Sequence, residues 1–309
     1  STITWRELDE GVAGRFVGGR GYGVKLLYDE LERGMDPLSE RNLLIFATGP
    51  LTGSMAPTSG RFSVVTKSPL TGTIFDANSG GFFGPALKAC GLDALILRGR
   101  ASNPVYLNLT DRSAEVLGAD DMWGKDTHET KNLIQCRHGA DAKVACIGPA
   151  GENIVRIAAI VNDDDRAAAR GGVGAVMGSK NLKAIVAKGK ARPSIADPDS
   201  FGFIVKECNK LLDQNPVTSK ALPRFGTAVL VNVMNEVNVL PSKNFQSSSF
   251  EGADNISGES IRKRLLIRQR ACFNCGIACG RVTRTAREKG EGPEYETAFA
   301  LGSDCLVGD

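Results

Sequence analysis

Three cysteines within eight residues constrain this chain more than any other feature: Cys272-Phe-Asn-Cys275-Gly-Ile-Ala-Cys279. Thiols at this spacing can converge on one soft metal centre from a single loop, as a tetrahedral ion or one face of a [4Fe-4S] cluster requires, with the fourth ligand supplied from elsewhere. A structural zinc site opened by CxxC needs a second Cys or His pair about fifteen to twenty residues on. None follows, because His128 and His138 lie far upstream and the next cysteine is the isolated Cys305. Phe273, Ile277 and Ala278 offer apolar cover, Gly276 and Gly280 let backbone approach sulfur, and Arg281 and Arg284 offset thiolate charge. The pattern favours iron–sulfur, with zinc and a metal-free structural loop as the alternatives.

The 309 residues, 42% of them hydrophobic, are enough for two domains with ordinary cores. A net charge of +3 with scattered Lys and Arg argues for a solvated mixed surface and against nucleic acid as a partner. There is no run of eighteen apolar residues, so no membrane span is expected. No basic, apolar leader is visible at Ser1, which predicts no export. Cys90, Cys136, Cys146, Cys208 and Cys305 are scattered singly, the usage of a reduced, cytoplasmic protein rather than a disulfide framework.

Apolar runs and punctuation predict an α+β chain: a β-rich N-terminal domain of antiparallel or mixed sheets over 1–190, a linker at 190–198, and a mainly helical domain over 195–309. Expected strands are 3–8, 43–48, 62–66, 92–97, 104–109, 143–147, 154–161 and 184–187. Expected helices are 11–28, interrupted by glycines, then 85–90, 129–136, 201–212, 228–235 and 260–270, the last leading into the thiol loop. Asp163 to Asp165 reads as an acidic turn.

A single glycine-rich turn is ordinarily only a tight turn. Four of them, at 18–23, 49–61, 78–84 and 170–181, could together present backbone amides to a phosphorylated cofactor. The spacing from Gly172 to Gly178 is one residue too long for a dinucleotide fingerprint, and Lys180 comes one position late for a P-loop, so the ligand is expected to be neither ATP nor NAD. Glu294 and Glu296, in Gly292-Pro-Glu-Tyr-Glu-Thr297, are either solvated surface carboxylates or acid/base candidates beside the cluster loop. The two histidines read as surface residues.

In order along the chain, Gly49-Pro-Leu-Thr-Gly53, Arg61, Thr66-Lys-Ser-Pro-Leu-Thr-Gly72, Asn78-Ser-Gly-Gly81, Gly148-Pro-Ala-Gly-Glu-Asn153, the long stretch from Arg170 to Ala184, the CxxCxxxC loop and GPEYET resemble the aldehyde ferredoxin oxidoreductase family. The resemblance covers essentially the whole chain. It implies a tungsten, or molybdenum, centre held by a pair of pterins beside one [4Fe-4S] cluster, aldehydes and carboxylic acids as substrates, and ferredoxin or a related carrier as electron partner. A homo-oligomer or an electron-transfer subunit complex is the implied assembly. Residue by residue, it implies that the loops with Asn78, Gly80, Gly81, Arg170, Gly171 and Gly172 hold pterin phosphates. Asn78 and Ala168 would help bind a phosphate-bridging Mg2+, and Arg61 would lie between cluster and pterin. Cys272, Cys275 and Cys279 would ligate the cluster, and Glu296, or failing that Glu294, would stand near the metal. In the family the fourth cluster cysteine, the Asp-x-x-Gly-Leu pterin segments and an active-site histidine lie beyond the position of Asp309, and the N-terminal strand is longer, so the resemblance implies a piece of a larger enzyme. Two other readings stay open: a tungsten-dependent acyl-CoA or aromatic reductase, and a non-catalytic iron–sulfur or zinc scaffold subunit.

Overall fold

In the strand Leu44–Thr48 every residue is buried, and successive side chains go to opposite sides as the period of two demands. Leu44 and Phe46 enter one core while Leu43, Ile45 and Ala47 enter another. The computed structural model describes residues 2–164, 166–286 and 289–306, and the chain divides into two compact units, Ser1–Ala196 and Asp197–Asp309.

The first unit is built on two sheets. Strands β1 (Leu44–Thr48), β2 (Phe62–Lys67), β3 (Ile74–Ser79) and β4 (Ala94–Leu97) form an antiparallel sheet of order β3-β2-β1-β4. Strands β5 (Val105–Thr110), β6 (Ser113–Gly118), β7 (Lys143–Cys146), β8 (Ile160–Asn162), β9 (Arg166–Ala168) and β10 (Leu182–Lys188) form the second, of order β6-β5-β10-β7-β8-β9. Only the β10–β5 pairing is parallel among the described strands of that sheet.

One core lies between the sheets: Phe46, Phe62 and Val64 from the first meet Leu107, Leu109, Ile185 and Ala187 from the second, with Phe83 and Leu87 of the helix Phe83–Ala89. The Phe62 and Phe83 rings sit 5.1 Å apart in a tilted arrangement. Each such buried side chain contributes about 1.5–3 kcal/mol by leaving water. On the far side of the second sheet, Ala184 and Val186 join Tyr106, Val144, Met122 and Ile134, the last from the helix Thr127–His138. On the far side of the first, the helix Gly19–Glu30 lays Leu27 over Ile45 and Val65. The chain is therefore α+β, as the sequence predicts.

Local expectations needed correction. Residues 2–9 form no strand. The predicted helix 11–28 is two helices, Glu10–Phe16 and Gly19–Glu30, broken where Val17 takes φ 65. Strands β3 and β6 lie outside the sequence expectation, because Ile74–Ser79 runs into a glycine turn and Ser113–Gly118 is half-exposed. The stretch 154–161 is mostly loop, with β8 only at its end. The helix Val173–Ser179 was hidden by its glycines, yet all seven of its residues are buried. A β-carbon on Gly178 would lie 1.9 Å from the Gly151 carbonyl oxygen, so the glycine is demanded by close backbone approach.

The second unit opens with the helix Pro198–Gln214, where Asp197 caps the N-terminus by accepting from the Ser200 N–H at 3.0 Å. This helix buries none of its residues, and Phe203 and Leu211 are 64% and 67% exposed. Helices Leu222–Phe225, Leu230–Glu236 and Gly258–Arg264 follow, around a small core of Val231, Leu240, Ala253 and Ala298. The region is mainly helical, but the predicted helix 260–270 stops at Arg264. Leu266–Arg270 is instead β11, pairing antiparallel with β12 (Gly280–Arg284), which in turn pairs with β13 (Lys289–Glu291). Three basic residues close the helix favourably at its carboxyl end, and the Leu-Ile-Arg-Gln-Arg that follows suits a strand.

Candidate metal and cofactor sites

The thiol loop is the connection of the β11–β12 hairpin, not a helix end. Cys272, Cys275 and Cys279 are all half-buried and in no disulfide, with turns at 273–274 and 276–277 between them. The Cys275 N–H donates to the Cys272 carbonyl at 3.3 Å, and Asn274 and Ala278 take left-handed conformations, φ 45 and 49, which curl the backbone around the sulfurs. Burial pushes the Cys90 thiol up to about 11 and that of Cys146 up to about 12, which keeps those two protonated at neutral pH. Cys305 is exposed. Among the described residues, no three His, Cys, Asp or Glu side chains already stand close enough to grip a single metal ion.

Arg281 lies two residues past Cys279 on β12 and is 2% exposed. Its Nη2 donates to the Leu222 carbonyl at 2.7 Å and its Nη1 to the Gly280 carbonyl at 3.2 Å, while Nε has no partner. Nearby, Glu294 is half-buried and accepts from Thr227 Oγ1, which itself accepts from the Tyr295 N–H at 2.9 Å. Glu296 is exposed on the short helix Tyr295–Thr297. The two carboxylates, equivalent in sequence, thus have different environments.

In the first unit, Arg61 is exposed at the start of β2 and its Nη1 donates to Asn78 Oδ1 at 2.6 Å, with Asn78 Nδ2 donating to Ser63 Oγ at 3.2 Å. Asn78 sits on β3, not in a loop, and Gly80 and Gly81 make the turn that follows. Residues from β8 brace that turn. Asn162 Nδ2 donates to the Gly80 carbonyl at 2.9 Å, and Ser79 Oγ donates to Asn162 Oδ1 at 2.7 Å. Asp163 Oδ2 accepts from the N–H groups of Phe82 and Phe83 at 2.5 and 3.0 Å, capping the first turn of the helix Phe83–Ala89. Gly81 has φ +90, and a β-carbon there would lie 2.3 Å from Asp163 Oδ2. Asn162 and Asp163 were not read as site residues. The only signal was the acidic turn at the end of an apolar strand, of which Asp165 lies outside the described residues.

Ala168 is fully buried on β9, an edge strand that packs against β3, so it is brought towards Asn78. Arg170 is exposed and Gly171 and Gly172 are buried. The Gly171 carbonyl accepts from Ser68 Oγ at 2.7 Å, which ties this turn to Ser68-Pro-Leu-Thr-Gly72. Gly172, at φ 72, begins the buried helix, and a β-carbon on it would collide with the Arg156 carbonyl oxygen at 2.1 Å.

The lysines of the same long motif turn inward. Lys180 Nζ donates to the carbonyls of Asn42, Gly99 and Glu40 at 2.5, 3.2 and 3.4 Å, which explains physically why it cannot serve a P-loop. Burial lowers its pKa to about 8, against a smaller upward pull from Glu40. Lys183, 0% exposed, pairs with Glu152 of Gly148-Pro-Ala-Gly-Glu-Asn153 and donates to the Lys125 carbonyl at 2.7 Å. His128 is exposed, whereas His138, expected at the surface, is half-buried with Nε2 3.0 Å from the Tyr106 hydroxyl, and burial lowers its pKa.

Comparison with known proteins agrees with this division. Residues 1–189 match the family model for the aldehyde ferredoxin oxidoreductase N-terminal domain, and residues 203–309 match that for domains 2 and 3. The tungsten-containing aldehyde ferredoxin oxidoreductase of Pyrococcus furiosus is 49% identical over 99% of this chain and 51% of its own length. The WOR-like subunit of an aliphatic sulfonate oxidoreductase from the same organism is 34% identical over 97% of this chain and 51% of its own. Among solved structures, the active-site complex BamBC of benzoyl coenzyme A reductase matches with a TM-score of 0.83 and 29% identity, over 96% of this chain and 48% of that one. The chain spans about half the length of the relatives it matches. With both of its units accounted for, the chain belongs to the aldehyde ferredoxin oxidoreductase family.

Proposed function

We propose that this chain is part of a tungsten, or molybdenum, bis-pterin oxidoreductase that interconverts aldehydes and carboxylic acids and passes electrons through a [4Fe-4S] cluster to ferredoxin or a related carrier. The observation that carries the reading is the thiol loop: three half-buried cysteines on one hairpin connection, beside a buried guanidinium with a donor to spare. A single tetrahedral zinc needs sulfurs within roughly 3.8 Å of one another, given a Zn–S bond of about 2.3 Å. Each thiolate of a cubane takes its own iron, which suits thiols separated by turns.

On this reading the unit 1–196 is the pterin-phosphate-binding base and the unit from 197 onward begins the helical domain that carries the cluster. Cys272, Cys275 and Cys279 would hold the cluster, and the backbone of Gly80, Gly81, Arg170, Gly171 and Gly172 would present amides to pterin phosphates. Asn78 and Ala168 would serve the bridging Mg2+. Arg61, an exposed fork already oriented by Asn78, would bind acceptors on pterin or sulfide. When bound, the metal centre supplies the two-electron oxidation and the cluster the one-electron exit. Proton transfer falls to Glu296 or Glu294: the first is exposed to water, and the second has Oε2 fixed by Thr227.

Assay of tungsten, molybdenum, iron, acid-labile sulfide and pterin in the full-length protein tests this directly. Iron and sulfide together with pterin and one of the two heavy metals is the expected result, and zinc alone overturns it. The likeness to the benzoyl coenzyme A reductase complex supports a second reading, an acyl-CoA or aromatic reductase. Turnover of aldehyde against aromatic acyl-CoA, with a reduced or oxidised dye as partner, separates the two.

A further inference from the structure

A guanidinium inside a protein normally satisfies its five N–H donors and faces a counter-charge, since an uncompensated buried cation is strongly destabilising. Arg281 does neither completely. At 2% exposure it donates through Nη1 and Nη2 to two neutral carbonyls, and its Nε is the buried side-chain nitrogen or oxygen left without a hydrogen bond among the described residues. No side chain crowds Nε from the Gly226 side. Gly226 stands there at φ +68, and a β-carbon on it would lie 2.9 Å from Nε, 3.2 Å from Nη2 and 3.1 Å from the Cys279 carbonyl oxygen.

We propose that Arg281 is a positioning residue for the cluster, clamping the Cys279 end of the loop and reserving its Nε–H for a thiolate or inorganic sulfide of the assembled centre. The inference rests on the iron–sulfur reading above. Its physical consequence is directional: a buried positive charge and a donor beside sulfur favour the reduced, more negative cluster and raise its reduction potential. Gly226 is the second part of the device, because a side chain there would occupy the space beside the donor.

The test is a dye-mediated reductive titration of the full-length protein followed by electron paramagnetic resonance, with iron and sulfide content measured on the same samples. Arg281→Gln is expected to lower the midpoint so that the reduced-to-oxidised ratio at a fixed potential falls about tenfold, which is 59 mV for a one-electron couple. Arg281→Lys keeps the charge without the fork and is expected to fall between. Arg268→Gln, on the exposed face of β11, removes the same formal charge and is expected to shift the ratio by less than twofold. Arg281→Gln with wild-type iron and an unchanged midpoint overturns the inference, as does a shift no larger than that of Arg268→Gln. If Arg281→Gln fails to assemble a cluster, the midpoint of Arg281→Lys decides in the same way. A wild-type protein without iron and sulfide sinks the cluster reading itself, which is a different failure.

Discussion

Lys180, Lys183, Glu152, Asn162 and Asp163 of the first unit all lie beneath the surface, and each meets partners supplied by that unit. In the second, Arg281 is equally buried yet keeps an N–H without one, and the longest helix buries nothing. Motif residues therefore do different work in the two regions. Those of the first mostly satisfy one another and hold turns at fixed places. In the second, Arg281 keeps an N–H that the described residues do not satisfy. The lesson is that a motif's length says little about whether its side chains touch a ligand; their burial and partners do.

That contrast can be broken by substitution. The largest expected effect is at the Lys183–Glu152 pair: Lys183→Met leaves a carboxylate buried without its cation and should cost about 3–5 kcal/mol in chemical denaturation. A loss under about 1 kcal/mol would show that the first unit does not depend on its internal pairing. Next, Asp163→Ala deprives the Phe82 and Phe83 amides and Asn162 of their acceptor, and a loss of about 2–3 kcal/mol is expected by the same measurement. In the second unit, Thr227→Val removes the bridge between Tyr295 and Glu294 and should cost about 1 kcal/mol. Smallest is Phe203→Ser on the uncovered helix face, expected to stay within about 0.5 kcal/mol. A large loss there would mean that the face is covered in the full-length protein, and would redraw the comparison.

How much of this was readable beforehand depended on the kind of signal. Continuous apolar runs such as Leu44–Thr48 and Lys143–Cys146 were visible as strands because burial on both faces leaves no polar interruption. The helix Val173–Ser179 was invisible because six of the seven residues from Gly172 to Gly178 are glycine, valine or alanine, which serve close packing rather than helix propensity. The switch from helix to strand at Leu265 was missed because one amphipathic pattern suited both until tertiary pairing with β12 decided it. At the sites, the thiol spacing singled out a candidate loop but could not tell that a hairpin presents it. The bracing of Gly80 and Gly81 by Asn162 and Asp163 joins positions some eighty residues apart, and no local pattern carries such a pairing.

The three carbonyls gathered by Lys180 bear on how this protein is made. Its ammonium bonds Asn42 across 138 positions of chain and Glu40 across 140, so the earliest strands leave the ribosome long before the residue that fastens them has been synthesised. Distant closures of this kind slow folding and leave apolar edges open in the interval. A nascent chain halted before Lys180 is accordingly the form in which chaperone binding and aggregation should peak, and one extended past Lys188 the form in which protease resistance first appears.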